Sequence, residues 1–227
     1  MEKKNVYFVQ TNSVFGSGVK SAYLPYSIGT IAAYAWADER IKNEYCLKKF
    51  IFMRDDVETI VEGMENPYLV GLSCYVWSME FNKALAKKIK EAFPDCLIVM
   101  GGHSISPDGR EMEKYPFIDF LTHGEGEVPT KELLLALSEG SEIKNVRGVS
   151  LREDGKVINK VVMCGDAPGD LAAAEKNGVG YYPILVRREK ESWQEFMDEG
   201  FQHLLEGSYA GAYQEKKKAE FLRNLGA

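Results

Sequence analysis

The runs YLVGLSC (residues 68–74) and CLIVMGG (residues 96–102) decide the fold of this 227-residue chain. Neither run alternates apolar and polar residues. A continuous apolar run of this length is typical of a strand covered on both faces, so we expect two strands of a parallel sheet. Between them, Ser78 is placed to cap a helix over about residues 78–92, whose apolar residues recur at helical spacing.

The alternation of strand and helix continues on both sides of these runs. Upstream, the sequence predicts the strands NVYFV (5–9) and LKKFIFM (47–53), with helices over about residues 26–41 and 56–64. Downstream, it predicts a fifth strand within FIDFLTHGEGE (117–127) and a helix over about residues 128–139. Strands that alternate with helices of this length indicate an α/β fold with a doubly wound parallel sheet.

The pattern changes after residue 145. The segments GVSLR and VINKVV flank Asp154-Gly155, a dipeptide typical of hairpin turns, and predict a β-hairpin. Residues 161–187 then predict strand, helix and strand, and amphipathic helices follow. We therefore expect two domains, residues 1–152 and residues 153–227. The second would be a βαβ-plus-helices extension that either lengthens the first sheet or packs as a separate annex.

The composition restricts the class of partner. The net charge of −6 argues against a nucleic-acid surface, and no run of 18 apolar residues is present to span a membrane. The chain starts directly on a predicted strand rather than on a signal peptide. The four cysteines form no CxxC pair, and three of them lie in apolar runs that fit reduced, buried thiols, so we expect a cytoplasmic protein.

Three loops rich in small residues follow the predicted strands: GLS (71–73), GGHS (101–104) and GEGE (124–127). Right-handed crossovers bring all three to one edge of the sheet, where ligands bind. Glycines there either form tight turns or let a ligand approach the backbone closely. Three such loops on successive strands favour a large, flat ligand.

These loops also carry a family resemblance. The segments PYSIGTIAAYAW (25–36), VGLSC through GGHSIS (70–106) and IDFLTHGEGEVPTKELLLAL (118–137) resemble the cobalamin-binding domain of radical-SAM enzymes. The resemblance covers about residues 4–152. It implies a flavodoxin-like sheet with strand order 2-1-3-4-5, and cobalamin at the strand tips with its nucleotide tail beside Ser73 and Gly102.

The resemblance and the loops together predict eight cofactor-binding residues. They are Ser73, Tyr75, Gly101, Gly102, His103, Gly124, Glu125 and Gly126. Tyr75 and Trp77 are candidates to stack on a corrin ring, with burial in a core or interface as the alternative.

Other roles for polar residues at this edge remain open. His103 and His123 are candidate ligands of a metal or of cobalt, but hydrogen-bonded structural histidines fit the same positions. Glu125 and Glu127 are candidate acids or bases. Glu127 is also placed to favour the N-terminus of the following helix.

Two departures from the family limit the expected chemistry. Cobalamin mutases and methionine synthase carry an Asp-x-His-x-x-Gly loop after the first strand, whereas TNSVFGSGVKS (11–21) contains no histidine. We therefore expect cobalamin to be held without an axial histidine from this loop. The sequence also contains no CxxxCxxC, so we expect the radical-SAM core and its iron–sulfur cluster to be absent from this chain.

The segment VVMCGDAPGDLAAAEKNGVGYYPILV (161–186) has a resemblance of its own. It is similar to the fourth motif of haloacid-dehalogenase-like phosphatases, and the similarity extends over about residues 161–227. The resemblance implies that Asp166 and Asp170 hold Mg²⁺, a cation that prefers oxygen ligands. The alternative is that both lie in a loop that starts a helix. The DxDxT nucleophile of that family is absent, since the first strand contains no Asp, so this Mg²⁺ site would be weak.

The sequence thus predicts a cobalamin-binding module that is not a catalyst on its own. A second copy of the chain and a radical-SAM protein are the partners left open. The alternatives are a Mg²⁺-dependent phosphohydrolase remnant, and a catalytically inert natural or artificial fusion.

Overall fold

The computed structural model describes residues 2–12, 24–153, 156–158 and 161–226. Most of the histidine-free loop at residues 11–21 and the predicted hairpin turn at residues 154–155 lie outside the described residues. The strands are β1 (Lys4–Val9), β2 (Tyr45–Ile51), β3 (Pro67–Ser73), β4 (Leu97–Gly101), β5 (Phe120–Thr122), β6 (Val149–Glu153), β7 (Lys156–Ile158), β8 (Val162–Gly165) and β9 (Gly180–Pro183).

The helices lie between and after these strands. They are α1 (Tyr26–Ala35), α2 (Glu39–Glu44), α3 (Val57–Glu62), α4 (Met79–Ala92), α5 (Arg110–Lys114), α6 (Glu127–Glu139), α7 (Pro168–Lys176), α8 (Glu189–Glu195), α9 (Phe201–Leu205) and α10 (Ala212–Asn224). A 3₁₀ turn spans Ile143–Asn145, and a π-helical segment, Phe196–Gly200, joins α8 to α9.

The main sheet has seven strands in the order β2-β1-β3-β4-β5-β6-β7. The pairs among β2, β1, β3, β4 and β5 are parallel. The hairpin of β6 and β7 adds two antiparallel strands at the β5 edge. The predicted doubly wound α/β class and the strand order 2-1-3-4-5 are therefore confirmed.

The central strands carry apolar side chains to both faces, as their continuous apolar runs predict. On one face, Val70 and Leu72 pack with Leu85 and Ile89 of α4. On the other face, Leu69 of β3 packs in a cluster with residues of α1, α2 and α6. Each layer of helices thus buries one set of alternate strand residues, and this is why the sheet needs no polar face.

The predicted helix over residues 26–41 is two helices, which corrects that expectation. Asp38 has an extended backbone, with φ −87° and ψ 125°, and its carboxylate accepts a hydrogen bond from the backbone N–H of Arg40 at 3.0 Å. An aspartate in this conformation caps a new helix rather than continuing the old one. The chain therefore ends α1 at Ala35 and starts α2 at Glu39.

The C-terminal segment forms a small sheet of its own. Strands β8 and β9 pair in parallel around α7, apart from the main sheet, so the segment is an annex rather than an extension of that sheet. Tyr182, Phe196 and Tyr213 contribute to one of its two apolar clusters. Strand β7, which the predicted division after residue 152 assigns to the annex, pairs with β6 in the main sheet, and we propose to place the division after β7.

The described helices are all too short or too polar to cross a membrane. The cysteines are free thiols. Burial raises the pKa of Cys74 and Cys96 to about 12, so both are neutral, unreactive thiols in the folded chain.

Candidate functional site

A cavity of about 440 Å³ lies at the carboxyl edge of the parallel strands, and we call it the strand-tip cavity. Its inner part is lined by core residues of the sheet and of helices α1 and α6. These include Phe8, Ile28, Leu69, Val99, Leu133 and Leu134. Its rim is polar and is built by the loops after β3, β4 and β5. A cavity with an apolar interior and a few polar groups at its mouth has the usual character of an organic-ligand site.

All eight predicted cofactor-binding residues line this one cavity. The sequence places them in three loops that are separated by about 30 and 20 residues. The sheet brings them together because parallel strands direct their carboxyl ends to one edge. Their role in holding a cofactor stays a prediction.

The loop after β3 is held by its own polar groups. The Ser78 hydroxyl accepts a hydrogen bond from the backbone N–H of Tyr75 at 3.0 Å, and the Asn82 side chain donates to the Ser73 carbonyl at 3.0 Å. The Tyr75 ring stacks on Trp77, with centroids 4.7 Å apart and planes 2° apart, and lies 5.9 Å from the ring of the exposed His103. The indole of Trp77 is half exposed but does not belong to the cavity lining, so Tyr75 is the aromatic side chain that this loop presents to the cavity.

The two glycines after β4 are required by neighbouring protein atoms. Gly101 pairs in register with Thr122 of β5, and a Cβ on Gly101 would overlap the Thr122 hydroxyl oxygen. Gly102 has φ +109°, and a Cβ there would lie 2.8 Å from the carbonyl oxygen of Cys74. The pairing of β4 with β5 therefore explains Gly101 without a ligand, and the close approach of the loop after β3 explains Gly102.

Gly124 in the loop after β5 is different. It has φ +72°, and a Cβ there would meet no atom within 4 Å. Among the predicted glycines, this is the one whose surroundings leave open space at the rim. Gly126, by contrast, faces the Ile31 side chain, which would lie 2.7 Å from an added Cβ.

His123 is a hydrogen-bonded structural residue on the cavity wall. Its Nε2 lies 2.7 Å from the Ser150 hydroxyl, and its backbone N–H donates to the Gly148 carbonyl. Burial lowers the pKa of His123, although the carboxylates of Glu111 and Asp108 act in the opposite direction. The ring is therefore neutral at physiological pH.

The charges around the cavity are acidic. Glu125 and Glu127 are the charged side chains among its lining residues, and neither Lys nor Arg belongs to that described lining. Glu127 is the first residue of α6 and lies where a carboxylate favours a helix N-terminus. A ligand that relies on cationic side chains to hold several phosphates does not fit this lining.

Gln10 and Ser27 belong to the site but are missing from the predicted set. Ser27 lines the cavity, and its hydroxyl donates to Gln10 Oε1 at 2.8 Å. The same hydroxyl lies 3.3 Å from both Ser73 Oγ and Tyr75 Oη. The sequence did offer a sign of this, because Gln10 is a polar residue directly after β1 and that position lies at the same sheet edge as the three loops.

Asp166 lies in the loop between β8 and α7, and Asp170 is the third residue of α7. Asp166 is exposed, and Asp170 accepts a hydrogen bond from the backbone N–H of Ala167 at 3.1 Å. Asp170 thus stabilises the start of the helix, which is the alternative to metal binding given above. Among the described residues, no group of three His, Cys, Asp or Glu side chains is arranged to hold a metal. The Mg²⁺ site implied by the phosphatase resemblance therefore has no support in this geometry.

Known proteins resemble the part of the chain that carries the cavity. Residues 44–134 match the family described as B12 binding domain. This match ends before residue 161, so it gives no support to the resemblance of the annex to phosphatases.

Two curated relatives are similar over 158 residues. The chain is 37% identical to the cobalamin-dependent radical SAM methyltransferase TokK of Streptomyces tokunonensis. It is 33% identical to 2-(S-pantetheinyl)-carbapenam-3-carboxylate methyltransferase of Streptantibioticus cattleyicolor. Each match covers 68% of this chain and 22% of the relative, so the chain spans about a fifth of the length of these relatives.

Solved structures share the fold at low sequence identity. The cobalamin-dependent S-adenosylmethionine radical enzyme OxsB, with aqua-cobalamin and S-adenosylmethionine bound, gives a TM-score of 0.54 at 20% identity, over 70% of this chain and 22% of that one. The methyltransferase TsrM from Kitasatospora setae, with cobalamin and an iron–sulfur cluster bound, gives 0.52 at 18% identity, over 70% and 31% of the two chains.

Proposed function

We propose that this chain, which contains a B12-binding domain homologous to part of the cobalamin-dependent radical SAM methyltransferases, binds cobalamin in the strand-tip cavity. The observation that carries the proposal is the single cavity shared by the loops after β3, β4 and β5. It combines an apolar interior with a polar, partly aromatic rim. The residues present thus fit a ligand with a flat face and a narrow aromatic tail.

The cavity volume suggests how the ligand divides between interior and rim. A space of about 440 Å³ suits a drug-sized group rather than a whole corrinoid. We assign the apolar interior to the aromatic base of the nucleotide tail, which passes Ser73 and Gly102. The corrin ring is assigned to the rim, where Tyr75 and His103 offer aromatic faces.

The chain holds the cofactor without an axial histidine from the loop after β1, in this proposal. The sequence has three histidines, His103, His123 and His203, and none of them lies in that loop. His123 is tied to Ser150, and His203 belongs to the annex. Cobalt coordination by a histidine of the loop after β1 is therefore not part of how the proposed site gains affinity.

Cobalamin supplies a carrier for methyl groups when it is bound, and the relatives named above are methyltransferases. The 227 residues contain no CxxxCxxC, so the cluster that radical SAM chemistry needs is not bound through that motif here. We assign the catalytic step to residues outside this sequence, in the same polypeptide or in a partner. The role of this chain is to bind and orient the cofactor.

A titration with hydroxocobalamin tests the proposed site. We expect the Tyr75→Ala variant to weaken cobalamin binding about tenfold, because a lost aromatic contact is worth about 1 kcal/mol or somewhat more. Tyr34→Ala is the matched control, since Tyr34 is a half-exposed tyrosine of α1 that does not line the cavity. Dissociation constants are obtained from the visible spectrum. Equal affinities for the two variants would place the ligand elsewhere.

A further inference from the structure

One wall of the strand-tip cavity is a cluster of four polar side chains, Gln10, Ser27, Ser73 and Tyr75. Ser27 is its centre, with Gln10 Oε1 at 2.8 Å and the hydroxyls of Ser73 and Tyr75 at 3.3 Å. Ser27, Ser73 and Tyr75 line the cavity, whereas Gln10 lies behind them at the end of β1.

The backbone fixes the direction of the protons in this cluster. The Ile28 backbone N–H can act only as a donor, and its nitrogen lies 3.2 Å from an atom of the Gln10 side-chain amide. The atom that it meets must therefore be the carbonyl oxygen of the amide and not its NH₂ group. Because a carbonyl oxygen only accepts, the Ser27 hydroxyl at 2.8 Å must donate its proton to Gln10.

Ser27 then has only lone pairs left for its other two neighbours. A hydroxyl carries one proton, so Ser73 and Tyr75 can bond to Ser27 only as donors. Their own protons are then directed at Ser27, and towards the cavity they offer lone pairs. The wall as a whole presents hydrogen-bond acceptors to whatever enters.

We propose that Gln10 is a positioning residue that sets this wall as an acceptor surface, so that the cavity selects corrinoids whose peripheral groups are carboxamides over corrinoids whose peripheral groups are carboxylates. The inference rests on the proposed function and deepens it. A carboxamide donates N–H bonds to Ser73 and Tyr75, whereas a carboxylate brings more acceptors and leaves buried lone pairs unpaired. Glu125 and Glu127 on the same cavity act in the same direction by repelling a carboxylate.

Two dicyano-corrinoids without a nucleotide tail form the test. Cobinamide and cobyrinic acid share the macrocycle, but the peripheral groups are carboxamides in the first and carboxylates in the second. We expect the wild-type chain to bind cobinamide at least tenfold more tightly than cobyrinic acid, as read from the visible spectrum. The ratio of the two dissociation constants measures the preference of the cavity wall for carboxamides over carboxylates.

Variants at Gln10 separate the proposed role from a merely structural one. Gln10→Glu keeps an oxygen that accepts from Ile28 and Ser27, and its added carboxylate acts in the same direction as Glu125 and Glu127, so we expect it to retain or raise the wild-type ratio. Gln10→Leu removes this acceptor and frees the Ser27 proton, and we expect the ratio to fall at least threefold. Gln194→Leu, at a glutamine on α8 of the annex, is the matched control and is expected to leave the ratio unchanged.

Ser27→Ala covers the case in which Gln10→Leu fails to fold. It keeps the bond between Gln10 and the Ile28 N–H but removes the centre of the cluster, and we expect the same loss of preference. If cobalamin binds but the wild-type chain has equal affinity for the two probes, the inference is overturned and the proposed function stands. An unchanged ratio in Gln10→Leu or Ser27→Ala has the same consequence. If neither cobalamin nor either probe binds the wild-type chain, the proposed function and the inference both fail.

Discussion

Replacing Gly101 by alanine tests how tightly the rim of the strand-tip cavity is packed. Gly101 of β4 and Thr122 of β5 are register partners. A Cβ on Gly101 would overlap the Thr122 hydroxyl oxygen, while the Cβ of Thr122 would be 3.4 Å away. Thr122 is buried and β-branched, so its hydroxyl has few positions to move to. We expect the Gly101→Ala variant to lose about 1–3 kcal/mol in the free energy of unfolding, the usual cost of overpacking.

The Thr122→Ala substitution removes the oxygen that causes the overlap. Alone it should cost about 1 kcal/mol, because a buried methyl group and hydroxyl are lost. In the double variant the new methyl group meets the Cβ of residue 122 at 3.4 Å and its carbonyl oxygen at 3.5 Å, which are ordinary contacts. The two substitutions should therefore partly compensate each other, with a coupling free energy of about 1–2 kcal/mol.

Urea unfolding of the wild type, the two single variants and the double variant measures this coupling. Gly29→Ala is the control glycine, because an added Cβ there has no atom within 4 Å and lies in helix α1. It should gain about 0.5–1 kcal/mol from helix propensity. If the effects at Gly101 and Thr122 add to within about 0.5 kcal/mol, the packing argument for Gly101 is refuted.

Three further predictions concern charges and thiols. Hydrogen bonds from the neighbouring arginine hold the pKa of Asp38 well below its ordinary value, so its stabilisation is present above the unfolded pKa of about 4 and is lost as the pH falls towards the folded pKa. Thermal unfolding of Asp38→Asn should show a deficit at pH 7 that shrinks steadily as the pH falls below about 4, and a constant deficit would contradict this. Lys217 is 1% exposed, and its Nζ lies 2.5 Å from Glu195 Oε1. In urea unfolding, Lys217→Ala should lower the free energy of unfolding by about 2–4 kcal/mol and Lys217→Met by less than about 1 kcal/mol, because methionine keeps the packing of the aliphatic stem. Equal losses in the two variants would contradict a role for that packing. Burial raises the pKa of Cys74 and Cys96 to about 12, so both should react with a thiol reagent at pH 8 only on unfolding. With Cys46 and Cys164, which are only partly buried, replaced by serine, rapid labelling of the native chain would contradict the burial of the other two.

The strand pattern of the main sheet could be predicted because burial on both faces leaves a direct trace in the sequence. The runs at residues 68–74 and 96–102 are continuous and apolar, and they became β3 and β4 at the centre of the sheet. The common position of the three loops followed from parallel pairing alone. The break at Asp38 was missed because the apolar residues keep helical spacing over residues 26–41. Asp38 falls on the polar face of that pattern, so its role as a helix cap was not apparent.

Contacts between distant segments explain what the sequence did not reveal about the site. The bond between Gln10 and Ser27 joins the end of β1 to the start of α1, and no local pattern links two polar residues 17 positions apart. The need for glycine at position 101 depends on its register with Thr122, which is set by the pairing of β4 with β5. The sequence therefore predicted correctly that the three glycine-rich loops meet at one edge of the sheet, but the protein neighbours of each glycine became visible only in the folded chain.

Co-elution of the purified wild-type chain with hydroxocobalamin on gel filtration tests the central claim most directly. At tens of micromolar protein and excess cofactor, we predict a red protein peak with one cobalamin per chain and a changed visible spectrum. Saturating cobalamin should also raise the melting temperature, because a ligand at about 100 times its dissociation constant stabilises the native state by about 2.7 kcal/mol. A colourless protein peak and an unchanged melting temperature would contradict the account.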